Sequence, residues 1–129
     1  MRHTVKLHNV IVGHSELEEI DPMLGRAWGV FRPGLGYELV QPIFHLFTQA
    51  VPMPGGEPLD QEKLARYHAA RDRLGLELVD SSGARIATTT IHIADYSQRT
   101  GRVELHVLIS DENYWSARSG PSEVSSRSR

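Results

Sequence analysis

Three residues near the end of the chain, His92, Glu104 and His106, combine the side-chain types that most invite a site. Imidazole and carboxylate together can ligate zinc or iron, or move protons as general acid and base. His8 joins them if the strand that carries it lies alongside. No tight ligand spacing such as HxH or HExxH occurs, so no residue is committed to a metal and no cofactor is expected. The same residues also suit a solvated outer sheet face, on which Glu104 neighbours Arg102.

Other constellations resolve into ordinary structural roles. His14-Ser15 with Asp21 contains the residue types of a nucleophilic triad, but Gly13-His14-Ser15-Glu16-Leu17 lacks the second glycine of a nucleophile elbow. Ser15 and Glu18 instead have the spacing of a helix capping box. Glu16, Glu18, Glu19 and Asp21 lack the alternation and central glycine of a calcium loop. Gly25, Gly29, Gly34 and Gly36 match neither a dinucleotide fingerprint nor a P-loop. Trp28 and Tyr37, with Arg26 and Arg32 nearby, form a candidate aromatic and basic surface. Such a surface can stack unpaired bases, as in OB-type barrels. Phe31, Phe44 and Phe47 lie on the same segments, where aromatics also serve as core.

The elements that must position these residues follow from periodicity and punctuation. Residues 4–12 alternate and predict one strand. One or two short helical turns are expected between Ser15 and Gly25. Arg26–Arg32 is a strand closed by a turn at Pro33–Gly36, and Tyr37–Thr48 is a further strand, with Pro42 implying an edge or a bulge. Residues 50–58 are a loop. The main helix spans about 60–74, with Asp60 as cap, Gly75 as stop, and a narrow stripe of Leu64, Tyr67, Ala70 or Arg71, and Leu74.

Two hairpins close the chain. Asp80-Ser81-Ser82-Gly83 joins 76–79 to 84–94, and Ser97–Gly101 joins 91–94 to 103–110. Ile91, Ile93, Val103, Leu105, Val107 and Ile109 are all odd-numbered. One buried face therefore requires odd residues to oppose odd residues. A three-residue loop Arg99-Thr100-Gly101 with Gly101 left-handed delivers that parity and makes His92 and His106 diagonal neighbours on the even face. Leu76, Leu78 and Ile86 are even-numbered, so the apolar side must swap across 87–90, which calls for a bulge or a bend.

The fold expected is α+β: a mostly antiparallel, curved sheet or partly open β-barrel of about six strands with one main helix. The 129 residues suit one domain, here 1–115, followed by a Ser/Arg-rich tail at 116–129 too poor in apolar residues to order. The overall charge of −2 divides into 11 basic against 15 acidic residues before position 116 and 3 against 1 after it. A mildly acidic ordered region argues against nucleic acid as partner. Without cysteine there is no disulfide or thiol chemistry. The opening residues show no secretory leader and no apolar run is long enough to span a membrane, so a cytoplasmic location is the default.

No motif carries catalytic spacing. The leading expectation is a non-catalytic binding or protein-interaction module whose partner is a protein or a small ligand. The alternatives are a metal-assisted hydrolase or lyase built on the His/Glu cluster, and OB-like single-stranded nucleic-acid binding.

Overall fold

The alternation at 4–12 folds as two strands rather than one. In the computed structural model, which describes residues 1–118, β1 (His3–Leu7) turns back through His8 and Asn9 into β2 (Val10–Ser15). His8 takes the left-handed conformation, φ 56°, that so tight a turn requires. Val5 pairs with Gly13 and Lys6 with Ile11, leaving Val12 as the extra residue of a bulge. Val5 and Val12 are both fully buried as a result.

The acidic stretch that follows is not helical. Ser15 Oγ accepts the Leu17 N–H at 3.0 Å, and Leu17 itself sits at φ 46°. Glu18 does not reach back to Ser15; its Oε1 accepts the Val30 N–H at 3.1 Å. The carboxylate thereby satisfies a strand amide instead of a helix end. β3 (Glu19–Asp21) pairs with β4 (Arg26–Pro33) across a turn closed by Gly25 at φ 66°. β2 and β3 both pair with β4, one with its end and the other with its start. They form a single path kinked at 16–18.

The larger correction falls at 37–48, which is helical and not a strand. A 3-10 turn (Leu35–Leu39) leads into α1 (Gln41–Ala50). Pro42 lies in the first turn of α1, where its missing N–H leaves no helical bond unmade. Val40, Phe44, Phe47 and Val51 recur at spacings of four and three, and Val40 and Phe44 are fully buried. α2 (Gln61–Leu74) is as its sequence reads. The Asp60 carboxylate accepts the Lys63 N–H at 3.0 Å, Gly75 closes the helix at φ 72°, and Tyr67 is the buried centre of the stripe.

β5 (Leu76–Val79) and β6 (Arg85–Ile86) form the first late hairpin, and β7 (Thr88–Tyr96) and β8 (Arg102–Ile109) the second. Among the described residues the eight strands make one antiparallel sheet in the order β6-β5-β1-β2-β4-β8-β7, with β3 added on β4. The sheet is nearly closed into a barrel. The two ends of that order, β6 and β7, are separated in the chain by Ala87 alone. The swap of apolar side is achieved there and at a bulge, where Thr88 pairs with Ile109 but Thr90 with Leu108. The barrel core holds Ala27, Phe31, Ile91, Ile93, Leu105 and Val107. The expected odd-against-odd parity is present.

Asp95 is the polar exception on that inner face, 4% exposed. Its carboxylate accepts the Tyr37 hydroxyl at 2.6 Å, and the Ser97 hydroxyl and N–H at 2.6 and 3.0 Å. Burial alone would raise its pKa, but these donors and Gln41 outweigh it and hold the carboxyl below its ordinary value. The Asp95 side chain therefore pins the β7–β8 hairpin to the 3-10 turn. Asp95→Ala is expected to lower stability by about 2–3 kcal/mol in urea unfolding, because the Tyr37 hydroxyl and Ser97 N–H lose their partner. A loss below about 0.5 kcal/mol would show that the carboxylate is not the pin.

α3 (Glu112–Arg118) packs Tyr114 into the core, and the Arg118 guanidinium lies 3.5 Å over the Tyr114 ring. The helix runs past Ser116 to Arg118. The remainder of the expected tail, 119–129, lies outside the described residues. No helix among those described is long and apolar enough to cross a membrane.

Candidate functional site

The β7–β8 hairpin turns through the five residues 97–101, with Gly101 at φ 77°. Tyr96 therefore pairs with Arg102, Ala94 with Glu104, and His92 with His106. The two histidines are directly opposed, not diagonal, and the correction stems from the longer loop. β4 adds Trp28 on the far side of His106. Trp28, His106 and His92 thus form one row across three adjacent strands, on the face turned away from the barrel core.

The row ends against the helices. His92 meets the Phe47 ring edge-on at 4.4 Å and the Phe44 ring at 6.2 Å. Its Nδ1 is hydrogen-bonded to the Tyr67 hydroxyl. Burial, then the neighbouring charges of His106, Arg71 and His68, push the His92 pKa down to about 3. Burial likewise raises the Tyr67 hydroxyl well above its ordinary value. Both groups are accordingly neutral at pH 7. The Tyr67 hydroxyl lies beside Arg71, a pure donor. With the tyrosine O–H directed at Nδ1, the ring proton of His92 is on Nε2.

His106 is held differently. Its ring is parallel to the Trp28 indole, with 5° between planes and centroids 6.5 Å apart, and its centroid is 6.0 Å from that of His92. Nε2 lies 3.1 Å from Glu104 Oε1. A carboxylate can only accept there, so Nε2 carries a proton, and in the uncharged ring the lone pair lies on Nδ1. Glu104 Oε2 accepts from Arg102 at 2.6 Å, which completes a chain from Arg102 through Glu104 to His106.

A cavity of about 300 Å³ opens over this face. Phe47 from α1, Pro54 and Gly55 from the following loop, and Ala94 and Tyr96 from β7 supply mainly apolar wall. Its polar groups are His92, Arg102, Glu104 and His106, with Thr100 at the hairpin loop. The Tyr96 hydroxyl donates to Val51 O at 2.6 Å, fixing the start of the loop that overhangs the cavity.

The other sequence candidates do not join this site. His8 is exposed in the β1–β2 turn, and β1 pairs with β2 and β5, not with β7 or β8. Arg26 stacks over Trp28 at 4.5 Å, but Arg32 lies six residues further along β4 and Tyr37 is buried against Phe31. The aromatic and basic surface therefore reduces to Trp28 and Arg26. Ser15 is buried, while His14 Nδ1 lies 3.0 Å from the Thr4 hydroxyl. Among the described residues no three His, Asp or Glu side chains converge as a metal-binding set. Neither Tyr67 nor Phe47 is tied to the histidines by the sequence: Tyr67 stands out only in the α2 stripe, and Phe47 only as one of the aromatics grouped with Trp28 and Tyr37. No protein-family model matches the chain, and no curated protein or solved structure matches it either.

Proposed function

We propose that this chain is a binding module for a small, largely apolar molecule that bears a hydrogen-bond acceptor, held in the cavity over β7 and β8. The observation that supports it is the cavity itself: apolar walls with a few polar groups brought together on its sheet side. At about 300 Å³ it lies at the small end of ligand sites. Arg102 and Glu104 neutralise each other there and His92 is uncharged, so an uncharged ligand meets no unpaired charge. The acceptor would take the Nε2 proton of His92.

The test uses small ketones such as 2-indanone, followed by amide NMR shifts on the full chain. Saturable shifts confined to His92, Ala94, Tyr96 and His106 are expected. At ten times Kd the ligand should add about 1.4 kcal/mol of stability. Ala94→Leu, which projects bulk into the cavity, should abolish the shifts. Scattered shifts, or unchanged binding to Ala94→Leu, would end the reading.

A further inference from the structure

We infer that the same cavity transfers protons at a carbon next to a carbonyl, with His106 as general base and His92 as the hydrogen-bond donor to the carbonyl oxygen. This rests on the binding reading and adds chemistry to it. Two imidazoles face one space from directly paired positions, yet each is locked in a different role. Tyr67 occupies Nδ1 of His92 and leaves a fixed N–H. Glu104 occupies Nε2 of His106, so in the uncharged ring the lone pair is on Nδ1. Placing a donor and an acceptor in contrasting surroundings within one cavity is how acid and base roles become assigned. A ring that stays neutral while polarising a carbonyl avoids giving up its proton in the ground state.

The step balances without a cofactor. The free nitrogen of His106 takes the α-proton, and the C–H electron pair becomes a carbon–carbon double bond. The carbonyl π pair moves to oxygen, where the Nε2–H of His92 stabilises the charge. The imidazolium of His106, facing the Glu104 carboxylate, then returns a proton to carbon at the same or a conjugated position. The reaction class is enolisation or keto–enol tautomerisation of a small uncharged ketone. Glu104 and Tyr67 are positioning residues, since each acts through a histidine.

The experiment incubates the full chain with acetylacetone, 2-indanone and phenylacetone in D₂O and follows loss of the α-proton signals by NMR, against protein-free buffer. Exchange faster than buffer is expected for at least one ketone. His106→Asn should cut the protein-dependent rate by about 100-fold or more while that ketone still binds. Tyr67→Phe, which keeps the packing ring, should lower kcat with little change in KM. The groups around His92 are Tyr67, Arg71 and His68 on α2 and Glu104 and His106 on β8, and His92 itself does not titrate near neutrality. No ionisation of His92 should therefore appear in the rate above about pH 5. Binding of the ketones without faster exchange, or full activity in His106→Asn, would overturn the proton-transfer inference and leave the binding reading standing. An ionisation above about pH 5 that is lost in His92→Gln would overturn the neutral role of His92. Absence of both binding and exchange would overturn both readings.

Discussion

Replacing Phe44 with alanine is expected to remove about 3–5 kcal/mol of stability, as measured by urea or thermal unfolding. Phe44 is fully buried and is the point where three elements meet. Its ring centroid lies 5.9 Å from that of Tyr67 on α2 and 6.2 Å from that of His92 on β7. Total stabilities of domains this size run about 5–15 kcal/mol, so the variant is expected to be partly unfolded at 37 °C. Ligand binding should fall with it, since His92 and Phe47 lose their backing. Phe47→Ala, at a part-exposed position, should cost less in stability and more in binding. A Phe44→Ala cost below about 1 kcal/mol would mean that α1 is not docked on β7 as described.

Acid should unfold this protein early, and His92 is the main reason. Its pKa is about 3 when folded against an ordinary 6.5. Below pH 6.5 the unfolded chain gains a proton there that the folded chain cannot accept. Stability contributed by the neutral ring is thus fully present above about pH 6.5 and is lost as pH falls towards 3. At pH 5 the expected loss is about 2 kcal/mol. His3 acts in the same direction, being lowered by burial and by Arg118. Asp95 enters only at lower pH, because its carboxyl is held below the ordinary 3.8. His92→Gln should flatten the dependence between pH 7 and 5 by that same 2 kcal/mol or so. An unchanged slope would show that His92 is not the group taking up the proton.

The parts of the fold legible in the sequence are those fixed by local signals. Asp60, Gly75 and the stripe between them specify α2 because capping and periodicity act within a few residues. The common parity of Ile91 through Ile109 was enough to put His92 and His106 on one face. Their direct pairing was not legible, because it turns on whether the loop has three residues or five. Agreement on a curved α+β sheet conceals differences in the elements, with eight strands and three helices among the described residues where about six strands and one main helix were expected. The segment 37–48 is a helix, its apolar residues serving the 3.6-residue period as well as a two-sided strand. The segment 4–12 is a hairpin whose turn carries a histidine in place of the usual glycine. What gives the candidate site its character, the Tyr67 bond to His92 and the Phe47 wall, joins residues 25 and 45 positions apart. No local pattern encodes such contacts.

The junction at Ala87 has a consequence for how the chain reaches this state. In most barrels the last two edges to meet belong to distant parts of the chain, and their meeting carries a large loop-closure entropy. Here the two ends of the strand order, β6 and β7, are consecutive in the chain. The seam is therefore set by a local bend. The entropically demanding closures lie inside the sheet, where Leu7 pairs with Leu76 and Trp28 with His106. The second of these pairings also builds the Trp28–His106–His92 row, so the candidate site forms with the slow, long-range part of folding rather than after it.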